Sequence, residues 1–187
     1  MGIQMEGPFF SYAKKGAQNG AYLKDPDFEA FEKLYDASEG LVRIVDMAAE
    51  LPGAVEFAEK ASKLCTVSIA HSDTGYDDAN AVFAAGATHL THLYIAMPGI
   101  HHRKPGPIGA GSENDKVYAE LICDGQHVHE SAVRMACWLT LWSAKKTWLL
   151  LPCTWAAKSC KIFIKSGTTG KLCHFYAVFI NIWLFMY

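Results

Sequence analysis

The sequence predicts an α/β fold of parallel βαβ units, a partial (β/α)8 barrel of the TIM type, from three observations. Five short β-branched or apolar runs alternate with amphipathic helical stretches over residues 1–136. Glu6, His71, His92 and His127 fall at or just after the C-terminal ends of those runs, where barrel enzymes place their chemistry. The chain has 187 residues, enough for one ordinary domain but short of the roughly 250 of a whole barrel. Periodicity alone does not separate an open doubly wound sheet from a barrel segment. The polar positions favour the barrel.

The elements follow in order. Gly2 to Met5 is an apolar run ending at Glu6-Gly7-Pro8. Asp27 to Ala37 predicts a helix, because Phe28, Phe31, Leu34 and Tyr35 recur at helical spacing. Leu41 to Met47 is a strand. Pro52 to Lys63 is a helix with proline in its first turn and Val55, Phe57, Ala58 and Ala61 for a packed face. Cys65 to Ala70 is a strand ending at His71, and Tyr76 to Ala85 a helix stopped by Gly86. Thr88 to Tyr94 is a strand, residues 98–111 form a Pro/Gly-rich loop, Val117 to Cys123 is the fifth strand, and Glu130 to Ala136 starts a helix.

Composition divides the chain. Residues 1–136 hold all nineteen acidic residues and no tryptophan. Residues 137–187 hold no Asp or Glu, six Lys, all five Trp and four of the six Cys. A folded surface normally mixes both signs of charge, so 137–187 is expected to be a separate hydrophobic, basic tail. The net charge of −2 argues against a nucleic-acid partner. No basic start followed by an apolar run opens the chain, and Cys65 and Cys123 read as reduced, buried thiols. A cytoplasmic protein is expected.

Glu6, His71 and His92, one carboxylate and two imidazoles at three strand ends, suit a divalent ion with an open position for water. Zinc is the first expectation and iron the second. Such an ion makes water acidic enough to attack an amide near neutral pH. The separations of 65 and 21 residues carry no motif of their own. Competing histidines exist. His89 and His92 on one strand would point to opposite faces. His127 and His129 share a face and could pair with Cys123, unless His129 simply opens the next helix. His101 and His102 sit in a loop where exposed polar residues are ordinary. Asp73 reads as a helix cap or a partner of His71.

These blocks resemble the N-acetylglucosamine-6-phosphate deacetylase family of amidohydrolases. Met5-Glu6-Gly7-Pro8-Phe9 with Lys14-Lys15-Gly16-Ala17 is similar to its first metal-ligand block, and Ala70-His71-Ser72-Asp73 to its second. Thr91-His92-Leu93-Tyr94 with Ala96-Met97-Pro98 is similar to the third. His102-Arg103-Lys104-Pro105-Gly106 and Cys123-Asp124-Gly125-Gln126-His127-Val128 complete the series in family order. The resemblance covers nearly all of 1–136 and implies barrel strands three to seven. It implies that Glu6, His71 and His92 hold the metal and that His127 polarises the acetamide carbonyl. It further implies that Arg103 and the backbone at Ala96 hold the phosphate of an amino-sugar substrate, and that the enzyme is a homodimer. Ile95 departs from the family's polar Asn at that place. Lost hydrogen bonding there predicts weaker phosphate binding, which Ile95→Asn should restore.

The resemblance also implies an internal fragment. The family's catalytic Asp, on the eighth strand, has no counterpart in the tail, so deacetylation by this chain is expected to be impaired. A non-catalytic metal-binding remnant is the alternative. For the tail itself, a membrane anchor at Phe175 to Tyr187 is disfavoured by its length, and an oligomerisation segment by the lack of heptads. Translation out of frame is preferred: read two bases later, the codons of Lys145-Lys146-Thr147-Trp148 permit Glu-Asn-Val-Ala, similar to a family segment.

Overall fold

The structure is a computed structural model and describes residues 2–143 and 161–165. Five parallel strands run in sequential order: β1 (Ile3–Met5), β2 (Val42–Met47), β3 (Thr66–Ile69), β4 (His89–Leu90) and β5 (Tyr118–Ile122). Strand order decides the question that periodicity left open. A doubly wound sheet reverses its order at a switch point, whereas a steady one-to-five progression with a helix at each crossover curls into a barrel arc. The fold is therefore a partial TIM-type barrel.

The helices are α1 (Phe28–Ala37), α2 (Ala54–Ala61), α3 (Tyr76–Ala84), α4 (Gly106–Ser112) and α5 (Glu130–Ser143). Asp27 caps α1, its side chain accepting from the N–H groups of Glu29 and Ala30. α2 starts later than predicted. Gly53, at φ +82°, is its N-cap, so Pro52 lies in the preceding turn and not in the helix. α3 ends near Gly86, whose φ of +118° suits glycine, and a Cβ there would meet Ser62 Oγ at 2.5 Å.

Two expectations need correction. The Pro/Gly-rich stretch expected to be loop throughout contains α4, whose residues Gly106 to Gly111 are all buried. Its glycines allow a close approach, since a Cβ on Gly111 would lie 2.6 Å from Leu90 Cδ1 in β4. Expected strand Thr88 to Tyr94 keeps a regular parallel ladder only at His89–Leu90, with single backbone bonds from Thr91 to Ile69 and from Leu93 to Glu120 beyond it. Beyond it, His92, Tyr94 and Ala96 turn to positive φ, which ends a strand.

Phe9, Phe31 and Phe57 lie at the centre of the apolar layer between α1, α2 and the sheet. Their rings sit 5.0 Å apart (Phe9–Phe57) and 5.5 Å apart (Phe31–Phe57). A sixth strand, β6 (Lys161–Lys165), pairs antiparallel with β5, against the all-parallel pattern of the βαβ units. The readings made for Lys145 to Trp148 and for Phe175 to Tyr187 lie outside the described residues. Among the described residues no helix is long and apolar enough to cross a membrane.

Candidate metal centre

Three chain turns leave the C-terminal ends of β1, β3 and β4 and bring Glu6, His71 and His92 together. His71 Nε2 lies 2.9 Å from Glu6 Oε1 and 3.1 Å from His92 Nε2. His92 Nε2 lies 3.4 Å from the same Glu6 oxygen. Among the described residues this is the group of three acidic, imidazole or thiol side chains whose donor atoms converge, all within 4.8 Å. Both imidazoles are buried.

Local structure fixes which atoms face inward. The Lys14 carbonyl can only accept, so His71 Nδ1–H donates to it at 2.8 Å, leaving Nε2 on the side of Glu6 and His92. Phe10 stacks on the His71 ring at 4.3 Å, and Ser11 N–H donates to the His71 carbonyl. Lys14 Nζ meets Asp73 Oδ1 at 3.2 Å, so Asp73 supports the segment that holds His71. It does not cap a helix, because Gly75 is the N-cap of α3. His71 and His92 have φ of +45° and +36°, sparsely populated values that cost on the order of 1–3 kcal/mol each and concentrate at functional sites.

Electrostatics agree with the geometry. Hydrogen bonds from His71 and then His92 hold the Glu6 carboxyl well below the usual carboxylate range, against partial burial. Burial alone would lower the His71 pKa, but the Glu6 carboxylate and the Lys14 carbonyl outweigh it and raise it. A carboxylate and two correctly turned imidazoles fit a divalent transition metal by the chemistry of the donor set.

The other expected residues are placed differently. His127 lies on the loop after β5, more than half exposed, with Nδ1 2.5 Å from Asp124 Oδ2. Asp124 also accepts the N–H groups of His127 and Gln126. These bonds hold its carboxyl down at about 2. Among the described residues no hydrogen bond joins His127 to the three donors. Arg103 is exposed, its Nε donating to His102 Nε2 at 3.0 Å. Ala96, at φ +53°, accepts the Ser72 N–H through its carbonyl at 3.1 Å. Ile95 is half-buried against the core. His129 opens α5, its Nδ1 2.7 Å from Ser131 Oγ, so the plainer reading of that residue holds. Of His89 and His92 only His92 joins the metal group, as expected, although a turn after Leu90 and not alternation along one strand places it there.

A buried polar layer below the three donors escaped the sequence reading. Asp46, Ser68, His89, Thr91 and Glu120 are all buried there, with Gln4 bonded to Asp46 and Thr91 at the edge. Complete burial, offset in part by the Thr91 hydroxyl, pushes the Asp46 carboxyl up to about 8. The stability consequence has a definite sign. A carboxyl raised above its ordinary 3.8 contributes fully below that pH and loses the contribution as pH rises through about 8. The denaturant midpoint of the chain is therefore expected to fall more steeply between pH 4 and pH 8 than that of Asp46→Asn. Parallel midpoint curves for the two proteins would refute this.

No protein-family model matches the chain. The Bacillus subtilis N-acetylglucosamine-6-phosphate deacetylase is 37% identical over 137 residues, covering 73% of this chain and 35% of the relative. The Escherichia coli O157:H7 N-acetylgalactosamine-6-phosphate deacetylase is 34% identical over 138 residues, 73% of this chain and 37% of the relative. The chain thus spans little more than a third of the length of these relatives. Among solved structures, the Mycobacterium smegmatis N-acetyl-D-glucosamine-6-phosphate deacetylase superposes with a TM-score of 0.72 at 36% identity, over 74% of this chain and 37% of that one. Sequence and fold thus agree that the matched part of this chain is homologous to the N-acetylglucosamine-6-phosphate deacetylases and forms a segment of their barrel.

Proposed function

We propose that the chain carries the metal centre of a hydrolase that removes acetate from N-acetylglucosamine 6-phosphate, giving glucosamine 6-phosphate. The convergence of Glu6, His71 and His92 carries this reading. The three would hold zinc, or iron in its place, and the ion would supply Lewis acidity at the scissile amide. Support for the substrate comes from the Mycobacterium smegmatis enzyme, solved in complex with N-acetyl-D-glucosamine-6-phosphate.

His127 would meet the acetamide carbonyl through Nε2, donating there with the ring carrying both protons, since the Asp124 carboxylate accepts from Nδ1 and so fixes the ring. Arg103 would take the phosphate as a planar cation, with the turn at Ala96 beside it. Ile95→Asn is expected to tighten substrate binding by restoring a polar group near that phosphate. An affinity unchanged by the substitution, measured by calorimetry, would remove Ile95 from the phosphate site. A homodimer in the cytoplasm is the assembly and location that suit the reading.

Acetate release by the purified chain, measured with N-acetylglucosamine 6-phosphate and with its galactosamine counterpart, tests the function. Slow release, impaired by the lack of a counterpart to the family's catalytic Asp, that a chelator abolishes and zinc restores is the expected result. Stoichiometric metal binding with no release from either sugar would select the non-catalytic metal-binding reading. Release indifferent to the chelator would overturn the metal assignment.

A further inference from the structure

The three donors do not account for the completely buried carboxyl beneath them. Asp46 lies in β2, between Val45 and Met47, and both its oxygens are engaged. Gln4 Nε2 donates to Oδ2 at 3.1 Å and lies 3.4 Å from Oδ1. Thr91 Oγ1 donates to Oδ1 at 2.8 Å. Gln4 Nε2 also reaches Thr91 Oγ1 at 3.0 Å, closing a triangle of three side chains. Ser68 Oγ stands 2.7 Å from Thr91 Oγ1, and His89 Nδ1 2.9 Å from Ser68 Oγ, so the triangle is braced from β3 and β4.

The positions of these residues in the chain give the triangle its meaning. Gln4 precedes Glu6 by two residues on β1, and Thr91 immediately precedes His92. β1 and β4 are not neighbours in the sheet, since β2 and β3 lie between them. Backbone pairing therefore relates Glu6 to His92 only through two intervening strands. The first of those pairings is itself irregular, with a register shift between Ile3 and Gln4. A side-chain tie across the barrel interior removes that freedom. A carboxyl buried out of water is unfavourable in itself, and its bonds to the two segments next to the donors explain why one stands here.

We propose that Asp46 is a positioning residue for the metal centre, tying the β1 segment that ends in Glu6 to the turn that carries His92 so that both can share one ion with His71. This rests on the metal reading given above. Asp46 touches none of the three donors by hydrogen bond. It acts through Gln4 and Thr91, and its loss should change metal affinity and ligand geometry beyond any general loss of stability.

The test is Co2+ binding by the full chain, followed by calorimetry and by the visible absorption of the bound ion. The unsubstituted protein is compared with Asp46→Leu, Thr91→Val, Thr91→Ser and Val82→Ala. Asp46→Leu and Thr91→Val are expected to weaken binding roughly 10- to 100-fold, the range typical of partners that orient metal ligands, and to shift the visible band. Thr91→Ser keeps the hydroxyl and should keep both affinity and band. Val82→Ala removes buried volume from α3 and lowers stability, yet should leave affinity and band unchanged.

If Asp46→Leu does not fold, the near-isosteric Thr91→Val and its rescue by Thr91→Ser decide the matter. Unsubstituted affinity and an unchanged band in Thr91→Val would overturn the proposal, as would an equal loss in Val82→Ala. Failure of the folded, unsubstituted chain to take up Co2+ would overturn the metal reading and this proposal together. That outcome is distinct from tight binding by every variant, which sinks the proposal alone.

Discussion

His71→Ala should abolish measurable zinc or cobalt binding, the largest functional effect expected from a single substitution in this chain. His71 makes the two shortest contacts of the group, 2.9 Å to Glu6 and 3.1 Å to His92, against 3.4 Å between those two. Its removal takes away a donor and also the contact through which the remaining two are arranged. Losing a residue that merely orients a ligand typically weakens metal binding by about 10- to 100-fold, and losing the ligand should exceed that. Glu6→Gln should weaken binding less, because an amide oxygen still reaches the site without its charge. Calorimetric titration checks both. Stoichiometric binding retained by His71→Ala would place the ion elsewhere.

Phe57→Ala should lower the unfolding free energy by about 3–5 kcal/mol, the range for a large aromatic truncated in a packed core. Phe57 is 1% exposed and its ring meets both Phe9 and Phe31, so no neighbour can close the gap without moving. The loss should also reach the site. Phe9 stands three residues after Glu6, and its carbonyl accepts the Ala48 N–H, joining the first ligand segment to the end of β2. Urea unfolding gives the stability change, and cobalt titration of the folded variant gives the second effect. A change below about 1 kcal/mol would mean that the three phenylalanines do not form the core described.

Much of this site could be read from the sequence because strand ends are visible in it. An apolar run that stops at a Glu or His marks both the end of a strand and a side chain facing the barrel mouth, which is how Glu6 and His71 stood out, whereas His92, inside the run expected from Thr88 to Tyr94, was set beside them by the family resemblance. The interior layer was not visible by the same route. Asp46, Ser68 and Glu120 are single polar residues inside apolar runs, and nothing local tells a buried hydrogen-bonded residue from one on a solvated face. Only the curl of the sheet brings Gln4 to Thr91 across 87 positions. α4 was missed for another reason. Gly106, Gly109 and Gly111 lower helix propensity, which is the basis of a loop assignment, whereas the close approach of Gly111 to Leu90 and of Gly109 to Pro105 leaves no room for a Cβ. His127 and Arg103 were named by family resemblance, and their hydrogen bonds within the chain go to Asp124 and His102 instead of to the three donors.

The left-handed backbone at positions 71 and 92 limits how this donor set can drift. Among coordinating side chains, His, Asp and Asn are the ones enriched in such a turn, while a β-branched residue there would be a marked outlier. Libraries randomised at the two positions and selected for ion capture should therefore return oxygen donors ahead of thiolates. The accessible variants would move toward harder cations such as manganese or magnesium, and the softer sulfur chemistry open to many zinc proteins would stay out of reach without rebuilding both turns.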